Sequence, residues 1–250
     1  MSRNATKDLT TGSPMKLILG FGIPLLFGML FQQFYNMMDT IIVGKFLGVS
    51  ALASVGATGS INFMIIGFCM GVCNGFAIPV AQRFGAKDEH GMRKFVANSV
   101  WLSIIFAVVM AVLVCVFCRQ ILELMNTPED IIDGSYSYIF VIFLGIPATY
   151  MYNLLSGIMR SLGDSKTPLY LLIFSSILNI ILDLLSIIVL KMGVAGAAWA
   201  TVIAQAVSGF CCLGVIWKKF PILHVQREEW QPDKLCILNL CNMGIPMGLQ

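Results

Sequence analysis

"GFGIPLLFG" (20–28) opens the first long apolar run of the chain, and "CNMGIPMGLQ" (241–250) carries the same Gly-Ile-Pro at the far end. Each enters an apolar stretch from a charged one. If they mark the openings of two equivalent units, the residues between them form one unit, and its plan decides the fold.

That plan is helical and membrane-bound. Of 250 residues, 58% are hydrophobic and only 12% charged, against about 25% charged in a soluble domain. A hydrocarbon core about 30 Å thick takes about 20 apolar residues of helix. The charged residues divide the chain into six runs of that size: 17–44, 51–81, 95–118, 134–159, 168–190 and 192–217. Runs this long and unalternating suit helices, not barrel strands. The tail ahead of them holds Arg3, Lys7, Asp8 and Lys16 and leads into a full-length span, so no cleavable signal peptide is expected. Most of the eight cysteines fall inside spans, where they read as small packing residues. Cys115 and Cys118 lack the second pair or nearby histidine that a zinc site needs.

Basic residues test the span count. With six spans, 13 of the 16 Lys and Arg fall on one side, and only Lys45, Arg119 and Lys191 on the other. The positive-inside rule then puts the N-terminus and the even-numbered loops in the cytoplasm of a multi-pass inner-membrane protein. The net charge of +3 reflects this topology and implies no nucleic-acid partner. In "NTPEDIIDG", Thr127 and Pro128 are expected to start a helix just before the fourth span; Thr167 and Pro168 should do the same for the fifth.

Six crossings return the chain to the cytoplasm, so a second unit would enter the membrane in the same direction as the first. That is a parallel repeat. The expected organisation is a tail over 1–16, a six-helix lobe over 17–217, a charged linker over 218–235, and the start of a second lobe over 236–250. The remainder of that lobe is expected beyond residue 250.

Eleven of thirteen acidic residues lie in tails or loops; Asp39 and Asp183 do not. An ionised carboxylate near the middle of a membrane helix costs about 2.5–3.5 kcal/mol on the mildest scale. At 1.5 Å per residue, Asp39, Asp183 and Thr201 lie roughly 8, 10 and 13 Å from the outer ends of their helices, in one layer. Helical spacing adds Gln32 and Asn36 beside Asp39, Ser176, Asn179 and Ser186 beside Asp183, and Gln205 and Ser208 beside Thr201. Gln32, Tyr35, Asn36, Ser176 and Gln205 are candidates to line the pocket these stripes would enclose. Burial and mutual repulsion disfavour two ionised carboxylates, so the pair is suited to take up a proton. With Asn179 and Thr201 as neutral oxygen donors it would equally suit sodium, a hard cation.

The stretches "GIPLLFGMLFQQFYNMMDTIIVGKFLG", "GVCNGFAIPVAQRFGAKD", "GIMRSLGDSKTP", "NIILDLLS" and "GVAGAAWATVIAQ" resemble the multidrug and toxic compound extrusion (MATE) transporters. The resemblance implies one lobe of a twelve-helix, two-lobed, all-α integral membrane transporter plus the start of a seventh helix. It also implies export of drug-like organic cations by antiport with H+ or Na+. In the prokaryotic branch that the chain looks most like, the matching positions Asp39, Asn179, Asp183 and Thr201 form the cation site. Sodium there is the only metal expected, and no cofactor is. Pro24, with Gly20, Gly22 and Gly28, softens the first helix for a kink. Gly67, Gly71 and Gly75 should give the second helix a close-packing face. Arg160, Asp164 and Lys166 match a family signature and are expected to fix a cytoplasmic turn.

The competing reading is a lipid-linked oligosaccharide flippase of the same superfamily. It would want cations in its pocket, and no Arg or Lys lies within the six spans. An enzyme is not expected: His90 and His224 are both in loops, and no nucleophile elbow or phosphate loop is present.

Overall fold

Each long apolar run becomes helical in the computed structural model, which describes residues 13–250. Of the tail expected over 1–16 only 13–16 are among them; Arg3 and Lys7 lie outside the described residues. Helix α1 spans Pro14–Leu47 and α2 Val49–Gly85. Gly48 alone separates them, at φ +87°, a backbone setting that glycine adopts without strain. Then follow α3 (Glu89–Val116), the short α4 (Cys118–Leu124), α5 (Ile132–Leu144) and α6 (Ile146–Ser161). Helix α7 (Lys166–Leu184) runs into a π-helical turn at Leu185–Val189; α8 is Val194–Lys219 and α9 is Lys234–Gly248. No strand occurs among the described residues.

Five helices are long and apolar enough to cross a bilayer: α1, α2, α3, α7 with its π turn, and α8. Counted as one segment bent by 47°, α5 and α6 make the sixth. The bend falls at Gly145-Ile146-Pro147, a third Gly-Ile-Pro that the repeat argument overlooked. Its proline sits in the first turn of α6, where a missing N–H costs nothing. By contrast, α1 and α9 run on through Pro24 and Pro246. The tripeptide alone therefore does not mark the start of a unit.

Two expected helix starts are corrected. Thr127 and Pro128 belong to a turn, closed by Ile131 N–H donating to Pro128 O at 3.1 Å, and α5 begins only at Ile132. At α7 the side chain that caps is Asp164, not Thr167: its Oδ1 accepts from the N–H groups of Lys166 and Thr167, both at 3.0 Å. A carboxylate accepts more strongly than a hydroxyl and is favoured at a helix N-terminus.

Helix α2 is central and packs against α3, α5, α6 and α9, while α8 packs against α5, α6 and α7. The shared core includes Val72, Phe76, Met92, Ile139, Tyr150 and Ile158. Outward faces are apolar, with Phe63, Ile105, Val112 and Leu30 exposed, as lipid-facing surfaces are. All eight cysteines are free, and five are buried. The glycine face of α2 meets α9. A Cβ on Gly71 would lie 2.4 Å from Met247 O, and one on Gly75 2.5 Å from the Gly244 Cα, whereas Gly67 has open space.

The segment between α8 and α9 is strapped to α3. Glu229, 1% exposed, accepts from Arg93 Nε at 2.9 Å and lies 2.9 Å from His90 Nδ1. Asn98 Oδ1 accepts from Asp233 N–H at 2.9 Å, and Trp101 donates to Trp230 O at 3.2 Å. Burial alone would raise the pKa of Glu229. The Gln226 N–H, Arg93 and His90 outweigh that and hold it below the ordinary glutamate range.

Candidate functional site

Helices α1, α7 and α8 meet in the half of the bundle away from the basic loops. There α1 buries Tyr35, Asp39, Ile42 and Val43, and α7 buries Ser176, Asn179 and Asp183. The Asp39 and Asp183 carboxyl groups lie within hydrogen-bonding reach of each other. With the Asn179 amide turned to satisfy all its neighbours, Nδ2 donates to Asp183 Oδ2 at 2.9 Å. Its oxygen accepts from the Thr201 hydroxyl at 3.3 Å and the Thr201 N–H at 3.2 Å. Tyr35 in turn donates to the Thr201 hydroxyl at 3.2 Å. A donor chain thus runs from Tyr35 through Thr201 and Asn179 to Asp183.

One oxygen of each acid, Oδ1, is buried without a partner. Unpartnered buried acceptors on two neighbouring acids leave an unmet need for positive charge. A shared proton would meet it. So would a hard cation held by the carboxylates, with the Asn179 amide then turned the other way so that its oxygen faces Asp183. The π turn begins two residues beyond Asp183, and such turns often mark functional segments.

The other expected residues divide. Gln32 lines a cavity nearer the basic loops. Gln205 keeps Oε1 buried without a partner. Ser176 donates to Leu172 O on its own helix and takes no part in the acid cluster. Asn36 stands outside the acid cluster: it is exposed and its amide donates to Gln33, while Tyr35 takes the buried side of α1. Tyr138 of α5 was missed; it is buried near Asp39, Tyr35 and Asp183. A phenol in the middle of an apolar helix, one of two there with Tyr136, was the available signal.

The cavity, about 560 Å³, lies between α1, α2, α6 and α7 and reaches Met247 of α9. Pro24 and Gly28 form part of its wall. So does Arg160, which donates to Asn74 Oδ1 at 3.4 Å. Arg160 was expected only to fix a turn. Its carbonyl does help to close that turn, accepting from Gly163 N–H at 3.0 Å beside the Asp164 side chain, but the guanidinium reaches back along α6 into the bundle, as a long side chain near a helix end can.

Comparisons place this geometry among known proteins. A family model described as MatE matches residues 24–185. The chain is 33% identical over 239 residues to the probable multidrug resistance protein YoeA of Bacillus subtilis, covering 92% of this chain and 51% of that protein. It is 30% identical to the probable multidrug resistance protein YpnP of the same organism, covering 97% and 54%. A solved outward-facing structure of a multidrug resistance MATE family transporter of the MOP superfamily superposes with a TM-score of 0.89 at 26% identity. It covers 100% of this chain and 55% of its own. The chain spans about half the length of the curated relatives it matches.

Proposed function

The chain belongs to the MatE family, and from that premise we propose that it forms the amino-terminal lobe of a secondary multidrug antiporter. It works in the cytoplasmic membrane with its N-terminus inside, joined to a second lobe of the same polypeptide. The cargo is an organic, drug-like cation, and H+ or Na+ moves the other way. One observation supports this above all: two membrane-buried aspartates on different helices face each other, each with an oxygen lacking a partner.

Asp39 and Asp183 hold the incoming ion, and Asn179 and Thr201 complete its oxygen shell. Ion uptake relieves the repulsion between the acids and so changes how α1 seats against α7. Pro24, which removes one backbone hydrogen bond, lets α1 bend in response and reshape the cavity beside it. Exchange of one proton for one monovalent cation moves no net charge; two protons would let a membrane potential contribute about 2.3 kcal/mol per 100 mV.

The test is efflux of ethidium from cells carrying the gene in its full genomic extent, under imposed proton or sodium gradients. Asp39→Asn and Asp183→Asn should each reduce gradient-driven efflux to background, and the gradient that drives the unmodified protein names the ion. Efflux that persists in both variants rejects the coupling role. The flippase reading regains ground from Arg160, whose place in the cavity removes the argument from absent cations.

A further inference from the structure

Arg160 is the one charged residue lining the cavity; its other polar neighbours there, such as Gln32, Asn74 and Asn153, are neutral. No carboxylate lies within ion-pair distance of it among the described residues. The nearest acid along the chain, Asp164, is committed to the N-terminus of α7 through Lys166 N–H, Thr167 N–H and the Thr167 hydroxyl. The guanidinium therefore sits half-buried with a single amide oxygen at 3.4 Å and four further N–H donors to satisfy. With apolar walls beside it and no carboxylate in reach, its free N–H groups are open to an anion that enters the cavity.

The rest of the cavity describes the molecule that would carry that anion. Phe21, Leu25, Met29, Leu169 and Leu172 make its walls apolar. Its volume of about 560 Å³ falls in the range of about 300–1,000 Å³ typical of drug-sized ligands.

We propose that the cavity between α1, α2, α6 and α7 binds an amphipathic anion, its carboxylate or phosphate paired with Arg160 and its apolar body against α1 and α7. The fork of a guanidinium matches either head group with two parallel hydrogen bonds. Asn74 steadies the fork and Asn153 offers a further polar contact at the rim. Gln32, at the other end of the cavity, lies seven residues from Asp39, about 10 Å along α1. The anion subsite is therefore separate in space from the acid pair.

The measurement is dansyl emission on titrating the purified protein, expressed from the gene in its full genomic extent, in neutral maltoside micelles, with dansylaminoundecanoate and with its methyl ester. The carboxylate should bind more tightly than the ester, and Arg160→Gln should weaken the carboxylate at least about tenfold while leaving the ester unchanged. Arg160→Lys, which keeps the charge but loses the fork, should fall between. Equal binding of acid and ester, or an unchanged affinity in Arg160→Gln, overturns the proposal. If Arg160→Gln does not purify as a folded species, Leu172→Trp takes its place: filling the cavity must abolish the difference between acid and ester, and a persisting difference overturns the site. Nanodiscs identify the source of the anion. Competition by phosphatidylglycerol over phosphatidylcholine assigns the site to a lipid head group; its absence assigns it to a soluble amphiphile. No transport is measured, so failure here leaves the antiport reading standing, and the reverse also holds.

Discussion

The two ends of α1 have opposite surroundings. From Tyr35 onward it is pinned: Tyr35, Asp39, Ile42 and Val43 are all buried, against partners on α5, α7 and α8. Residues 14–34 contribute none of its buried side chains, and that stretch borders the cavity through Phe21, Pro24, Leu25 and Gly28. One helix thus enters a closed layer, where its Asp39 meets Asp183 of α7, and has an open half with a cation across the gap. The fixed half can hold an ion in a set geometry; the loose half, with proline and glycines in it, can move without breaking the core.

The largest test of this contrast is accessibility. In a background without native cysteines, Leu172→Cys in the cavity should react with a water-soluble maleimide on the order of a hundredfold faster than Val43→Cys in the closed layer. Equal rates would mean that the two halves do not differ. A smaller effect concerns what holds the cavity's far wall. Gly75→Ala drives a methyl group into the backbone of α9 and should cost about 1–3 kcal/mol. Gly67→Ala meets nothing and should gain up to about 1 kcal/mol from helix propensity. Thermal unfolding of the two variants reads the difference, and similar midpoints would mean that α9 is not seated there.

The smallest expected effect is at the linker. The folded-state pKa of Glu229 lies below its unfolded value, so its stabilisation is complete above the ordinary glutamate range and is lost as pH falls through the folded value. Unfolding midpoints should therefore be level near neutrality and drop on acidification, with a shallower drop in Glu229→Gln. An identical profile in that variant would show that the strap on α3 contributes nothing.

Much of the architecture was legible before any coordinates. Span positions follow from hydropathy, and the common depth of Asp39, Asp183 and Thr201 follows from helical rise alone. The side chains beside them were harder to place. Helical spacing put Asn36 in the acid stripe because it lies three residues before Asp39, yet Tyr35, four before, occupies the buried face. A window of about 100° on a helix admits either position. Arg160 was assigned to a turn and not to the cavity for a related reason: the span ends at Met159, and nothing local says whether the next side chain turns out to water or back into the bundle.

By itself, then, the sequence determined that the chain carries about six apolar runs long enough to cross a membrane, that its basic residues gather in alternate loops, and that two acids lie at one height in the apolar layer. These are consequences of composition and of a fixed rise per residue, which each segment carries alone. Only the packing of helices decided that those acids touch, that Tyr138 joins them, that α9 lies on the glycines of α2, and that a cavity opens beside an unpaired arginine. Each of those depends on how a helix is rotated about its own axis and on which neighbour covers it, and no single segment encodes either.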